Sequence, residues 1–203
     1  MSEKTLYLFR HGETDWNRQN RFQGSVDIPL NETGREQAER LRRFFKDNPV
    51  EAFLSSDLSR ARETAEIAGR DLGVPIVVDP RLRETNLGQA EGLTRDEITA
   101  RWGAEMLDNW AGTHPPDPHF RFPGGESKGE HLARLIEGLD ANLRAHPHRI
   151  WGVASHGGAM RRIIHHLRPD LKNGVMVPNG TLFELKFHVD RGLTLVDIEP
   201  KKI

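Results

Sequence analysis

Two short segments each place a histidine directly after an apolar run. Arg10-His11 follows Leu6–Phe9, and Ser155-His156-Gly157-Gly158 follows Ile150–Ala154. Arg60 closes the stretch Ser55–Arg60 behind the run Val50–Leu54, and Glu84 stands just past Pro75–Val78. If those runs are strands of one open sheet, these distant residues share the edge beyond the strand carboxyl ends, where such sheets bind ligands. A phosphoryl group in transfer carries charge on three oxygens. It needs donors aimed at them and a nucleophile in line with the leaving oxygen. Arg10 and Arg60 offer forked guanidinium donors. His156 precedes a predicted helix, so the amides of Gly157 and Gly158 lie at its positive end. The glycine pair also lets a ligand come close. His11 is then the candidate nucleophile, because an imidazole can be neutral near pH 7 and neighbouring cations favour that form. Covalent catalysis also needs a proton for the departing alkoxide and a base for the attacking water. Glu84 is the carboxyl group best placed to serve in both steps.

Other phosphoryl-transfer and cofactor machinery has no residues here. The chain contains no GxxxxGK[ST], no Gly-x-Gly-x-x-Gly, no HExxH and no Asp-x-Asp. His165-His166 are adjacent on a predicted helix and point to different faces, a poor metal pair. No metal ligand set and no cofactor is expected. Plainer readings stand beside these. Arg60 could be a solvated helix residue, as Arg62 is expected to be. His156 could be a helix cap. Glu84, within Arg81-Leu82-Arg83-Glu84, could belong to a surface ion pair.

The elements that must position these residues alternate. Thr5–Phe9 reads as a buried strand. Thr33 to Glu36 has the spacing of a capping box opening a helix with Ala38, Leu41, Phe44 and Phe45 on its inner face. After the strand Val50–Leu54, residues Leu58, Ala61, Ala65, Ala68 and Leu72 mark a helical face ended by Gly73. Pro75–Val78 is a third strand. Residues 85–125 read as an irregular inserted cap with a helical start, capped by Thr94 to Glu97 and holding Trp102, Met106, Trp110, Phe120 and Phe122. Ser127 to Glu130 caps a long helix with Leu132, Leu135, Ile136, Leu139 and Leu143 on one side. Ile150–Ala154 is a strand, followed by the helix Ala159–Leu167. Thr181–Phe187 and Leu193–Ile198 read as a closing antiparallel pair. This order predicts one domain over 1–203, a three-layer α/β/α sandwich around a mostly parallel sheet, with the small helical cap inserted.

Composition narrows the partners. The 203 residues carry 29 basic and 30 acidic side chains, a net charge of −1, and no cysteine. No overall field attracts nucleic acid or an anionic membrane, so a basic site must be local. Disulfides, thiolate zinc sites and cysteine nucleophiles are excluded together. No apolar run reaches the length of a membrane span, and the one near the N-terminus is too short for a signal-peptide core. A cytoplasmic enzyme acting on a small phosphorylated substrate is expected, with a homodimer compatible and the oligomeric state open.

The segment Leu8-Phe9-Arg10-His11-Gly12-Glu13-Thr14 resembles the Arg-His-Gly-Glu signature of the histidine phosphatase superfamily, which includes the cofactor-dependent phosphoglycerate mutases. The likeness continues through Phe22-Gln23-Gly24, Ser55–Ala61, Leu82-Arg83-Glu84, Pro123–Ser127 and Ser155–Gly158, in order, over about residues 5–165. The resemblance implies that His11 is phosphorylated and that Arg10, Arg60 and His156 hold the phosphate. Asn17, the Gln23-Gly24 backbone and Gly157 would complete the pocket, and Glu84 would be general acid and base, without a metal. Mutases of the family carry a Tyr three residues after the acid, an Arg-Arg pair after a Trp in the insertion, and Gly-Asn after the second histidine. Here those positions hold Leu87, Ala111-Gly112 and Gly157-Gly158; Arg95 falls about where mutases place a Lys. The balance resembles the bacterial broad-specificity and α-ribazole phosphatase branch. Arg95, Trp102 and Trp110 are candidate cap contacts to substrate. A phosphoglycerate mutase and an inactive module that binds a phosphorylated ligand are the competing readings.

Overall fold

The computed structural model describes residues 3–112, 117–171, 175–188, 190–195 and 201. His114 and the breaker Pro115-Pro116 of the cap, and the tail of the last predicted strand beyond residue 195, lie outside them. Six strands form one sheet: β1 (Glu3–Arg10), β2 (Ala52–Ser55), β3 (Ile76–Val78), β4 (Ile150–Ser155), β5 (Leu182–His188) and β6 (Gly192–Leu195), in the order β3-β2-β4-β1-β5-β6. The first four are mutually parallel, and β5 and β6 run antiparallel along one edge.

The alternation of side chains along the strands divides the core. Leu6 and Leu8 of β1, with Leu54, Trp151 and Val153, face a layer made by α6 (Lys128–Ala145) and α7 (Gly157–Leu167). Phe9, Phe53 and Ala154 face α2 (Glu32–Asp47) and α3 (Ser59–Ala68), which follow the short helix α1 (Asp15–Arg18) and contribute Leu41, Phe45, Ala61 and Ala65. Successive strand residues point to opposite faces, so one strand feeds both cores. The sandwich of three layers is the architecture expected from the alternating order.

Register aligns the strand ends. Arg10 pairs with Ser155, and Ser55 lies beside Ala154 and Val78. The next residues, His11, Ser56 and His156, therefore leave the sheet side by side. Several helix boundaries differ from the sequence reading. Helix α2 opens at Glu32, with Asn31 as its cap accepting from the Gly34 amide, so Thr33 and Glu36 form no capping box. Asn31 is also held by its own amide on the Glu13 carbonyl, which fixes the earlier start. Helix α3 ends at Ala68 with Gly69 as its C-cap, not at Gly73, and a Cβ at Gly69 would lie 2.6 Å from the Phe53 ring. Leu58 is its N-cap, and Leu72 packs on the core beyond the helix end. Helix α7 begins at Gly157, two residues before the expected Ala159.

Between β3 and α6 lies a segment with its own apolar cluster, carrying α4 (Arg95–Trp102) and α5 (Glu105–Ala111). Leu87, Ala90, Ile98, Leu107 and Phe122 are its buried members, with Trp102, Met106, Trp110 and Phe120 packed around them. The capping boxes Thr94 to Glu97 and Ser127 to Glu130 are both formed. Among the described residues no helix is long and apolar enough to cross a membrane.

Candidate active site

A cavity of about 360 Å³ opens beyond the carboxyl ends of β1, β2 and β4. Arg10, His11, Arg60, Glu84, Gly157 and Gly158 form its inner wall, and Asn17, Gln23 and Gly24 close one side. Five arginines (Arg10, Arg21, Arg60, Arg95 and Arg161) line it against one carboxylate, Glu84. The local field is thus strongly positive in a chain whose net charge is −1.

His11 is 2% exposed and its Nδ1 lies 2.6 Å from the Gly12 carbonyl oxygen. A carbonyl only accepts, so Nδ1 carries the hydrogen and Nε2 keeps the lone pair. Burial, then the charges of Arg60 and Arg10, hold His11 well below the usual histidine range. The sequence reading credited the cations; burial is the larger cause. Gly12 must be glycine for packing: its amide donates to Thr64 Oγ1 at 3.1 Å, and a Cβ would strike the Gly34 backbone of α2.

Arg10 and Arg60 are fixed but incompletely satisfied. Arg10 donates to the Val177 carbonyl at 2.6 Å, and Arg60 to the Val26 and Gly24 carbonyls at 2.7 and 2.8 Å. The Nε of each is buried without a partner. Burial pushes both down to about 10, which leaves them charged at neutral pH. Buried donors without partners are expensive, and an anion in the cavity would satisfy them. His156 is fully buried behind His11 at a ring separation of 5.2 Å and is not among the cavity-lining side chains. Ser56 Oγ lies 2.8 Å from its Nε2, while its Nδ1 has no partner. Burial and Arg60 hold it well below the usual range.

The ion pairs of the Arg81–Glu84 stretch bypass Glu84. Arg81 takes Asp79 and Glu137, and Arg83 takes Asp57, while Glu84 turns inward with its side chain 14% exposed. Its Oε1 accepts from the Thr85 amide at 2.8 Å and its Oε2 from the Gly158 amide at 2.7 Å. Burial raises the carboxyl; His131, the two amides and Arg161 more than offset this and leave it below its ordinary value.

Of the cap candidates, Arg95 and Trp110 line the cavity and Trp102 does not. Trp102 packs on Phe122 beneath Arg101. Arg162 lies over the Trp110 ring at 4.9 Å with its Nε buried, whereas Arg161 is exposed at the cavity mouth. Sequence reasoning missed Asn179, whose Nδ2 donates to the His11 carbonyl at 3.0 Å and to Asn17 Oδ1 at 3.2 Å. It also missed Arg134, which donates to the carbonyls of Arg81, Arg83 and Glu84, and His131, which is buried beside Thr85. These contacts join residues far apart in sequence, so no local pattern announces them. Among the described residues no group of three or more His, Asp or Glu could hold a metal ion.

Residues 6–197 match the family model described as Histidine phosphatase superfamily (branch 1). The chain is 35% identical over 195 residues to the "Probable phosphoglycerate mutase GpmB" of Photorhabdus laumondii subsp. laumondii, covering 94% of this chain and 80% of that protein. It is 34% identical over 183 residues to the "Uncharacterized phosphatase PhoE" of Bacillus subtilis, covering 89% and 86%. A mycobacterial glucosyl-3-phosphoglycerate phosphatase, solved in complex with VO3, has the same fold with a TM-score of 0.78 at 30% identity. That match covers 90% of this chain and 92% of the other.

Proposed function

Because the chain belongs to the histidine phosphatase superfamily, branch 1, we propose that this enzyme is a metal-independent phosphatase of small phosphomonoesters. It works through a phosphohistidine on His11, with Glu84 as acid and then base. The observation that carries this reading is the state of His11: neutral, with its Nδ1–H held by Gly12 and its Nε2 lone pair free in a cationic cavity. The amide of Gly157, the guanidinium groups of Arg10 and Arg60 and the buried Nδ1 of His156 are the donors for the phosphoryl oxygens. Asn17 and the Gln23-Gly24 backbone bound that pocket.

In the first step Nε2 of His11 bonds to phosphorus, the ester P–O bond breaks, and Glu84 gives its proton to the leaving oxygen. In the second, water attacks phosphorus, its proton passes to Glu84, and the P–N bond breaks to release phosphate. Glu84 is held ionised in the free site; a phosphate dianion beside it disfavours that charge and returns the proton. The VO3 complex of the mycobacterial relative supports an oxyanion site in this fold.

The relatives' names divide between mutase and phosphatase. Arg95 at the cavity mouth favours the mutase as a second reading, since it could pair with the carboxylate of phosphoglycerate. Leu87 and Ala111-Gly112, where the family's mutases carry polar or charged residues, favour hydrolysis. The test is product analysis with purified protein in EDTA, using p-nitrophenyl phosphate, 3-phosphoglycerate, sugar phosphates and α-ribazole phosphate. Free phosphate supports the proposal; 2-phosphoglycerate with little free phosphate overturns it in favour of the mutase. Acid-quenched labelling should find phosphohistidine in the wild type and none in His11→Ala. A His11→Ala protein that keeps its activity would sink the covalent step, and a wild type inactive on all esters would leave a binding module.

A further inference from the structure

The turn before β5 reaches back over the nucleophile loop. The Thr181 amide donates to the Pro178 carbonyl at 3.1 Å, with Asn179 and Gly180 between them. Gly180 takes a φ of 78°, the positive value that the third residue of a type II turn needs. Both flanks are tied to Arg10 at the end of β1. The Arg10 amide donates to the Thr181 carbonyl at 2.9 Å, and its Nη1 to the Val177 carbonyl at 2.6 Å. The Asn179 side chain is thereby brought to the cavity wall beside Asn17. Its Nδ2 donates to the His11 carbonyl at 3.0 Å, and a carbonyl accepts only, so the nitrogen faces that way. The same nitrogen donates to Asn17 Oδ1 at 3.2 Å. A backbone donor identifies that atom as the oxygen, since the Thr14 amide reaches it at 3.2 Å. With Oδ1 engaged on these neighbours, Nδ2 is the end of the Asn17 amide left for the cavity that Asn17 lines.

We propose that Asn179 is a positioning residue for the phosphoryl site: it fixes the Asn17 amide so that the Nδ2 hydrogens, and not the oxygen, meet the oxygens of a bound phosphate. The inference rests on the reading of the cavity as a phosphate site with Asn17 on its wall. The physical need is polarity. An amide is a donor at one end and an acceptor at the other, and the χ2 torsion of asparagine is broad and roughly two-fold. An oxygen turned toward the phosphate would repel the charge that Arg10 and Arg60 attract. The Thr14 amide holds Oδ1 as part of the cap of α1, from within the same loop. Asn179 holds it from a segment 162 residues away, so the torsion is set by two partners instead of one. Because the same nitrogen also holds the His11 carbonyl, the turn joins the Asn17 amide to the backbone of the nucleophile.

The test is a double-variant cycle on the binding of inorganic phosphate, measured by calorimetry on the whole protein. Asn17→Ala should raise the dissociation constant about tenfold or more, the worth of a hydrogen bond to a charged group. Asn179→Leu keeps the bulk and removes the donor. It should raise the constant about three- to tenfold in the wild-type background, the worth of one ordinary hydrogen bond. In the Asn17→Ala background it should raise it by less than about twofold, because no amide is left to orient. Equal losses in the two backgrounds overturn the proposal, since a loosened turn or a disturbed His11 carbonyl would weaken binding with or without Asn17. An unchanged constant in Asn179→Leu overturns it too. If thermal melting shows that Asn179→Leu does not fold, Asn179→Ala passes through the same cycle under the same criterion. In kinetics on p-nitrophenyl phosphate, kcat/KM should fall in Asn179→Leu by about the factor lost in phosphate binding, with both limbs of the pH profile unmoved. An Asn17→Ala protein that binds phosphate as tightly as the wild type would overturn the inference by removing the donor that Asn179 orients. The phosphohistidine reading would survive that result, because acid-quenched labelling of His11 decides it separately.

Discussion

At the scale of single residues, Arg10 and Arg60 are each held by backbone carbonyls and left with one buried nitrogen without a partner. Arg60 spends its terminal nitrogens on the Val26 and Gly24 carbonyls and keeps a buried Nε without a partner. A lysine could hold the charge but not the fork. Arg60→Lys should weaken inhibition by inorganic phosphate about tenfold or more, because hydrogen bonds to charged groups are worth about 1.5–3 kcal/mol. Glu84→Gln should depend on the ester. General acid catalysis contributes about 10²–10⁴-fold, so an alkyl phosphate should lose roughly that factor. A p-nitrophenyl ester, whose leaving oxygen needs no proton, should lose much less.

The elements act through their ends. Helix α7 starts at Gly157, so the Gly158 amide reaches Glu84 Oε2 from the positive end of the helix. A Cβ on Gly158 would fall on the Glu84 carboxylate. Gly158→Ala should therefore fold, since its backbone lies in a helix, yet displace the acid and lower kcat on alkyl esters at least tenfold, as misplacement of a reacting group does. Thermal melting beside kinetics checks both halves. This start of α7 was two residues off in the sequence reading, because paired glycines look like a loop until the strand before them fixes their direction. The capping boxes Thr94 to Glu97 and Ser127 to Glu130 were legible, since their Ser or Thr and Glu lie three apart. Thr33 to Glu36 had the same spacing and was not a cap, because Asn31 had already been fixed by the Glu13 carbonyl.

For the molecule as a whole, the buried imidazoles set how stability responds to acid. His11, His131 and His156 all titrate below the free histidine value in the folded protein, chiefly through burial. Below about pH 6.5 the unfolded chain takes up protons on these rings that the native state refuses, so unfolding becomes more favourable as pH falls. Their contribution is complete above that value and is lost progressively on acidification, for His131 down to about pH 4. The denaturant midpoint should drop between pH 7 and pH 5, and His131→Leu should show a shallower drop. An unchanged slope in that variant would mean that His131 is protonated in the native state.

The sequence by itself determined the chemistry and its frame. Arg10, His11, Arg60, Glu84 and His156 were identified as residues that follow strands, because the period of the apolar runs and the direction of a parallel sheet fix where such residues emerge. The ordered family motifs then attached roles to them. What only the tertiary structure decided is how each group is held and in which proton state. The hydrogen on His11 Nδ1 depends on the Gly12 carbonyl, and the Glu84 carboxylate depends on the amides of Thr85 and Gly158. The support from Asn179, Arg134 and His131 comes from other elements altogether. A local pattern reports which face of an element is apolar. It carries no record of which distant carbonyl or imidazole will stand within three ångströms after packing, and at this site that decides where each proton lies.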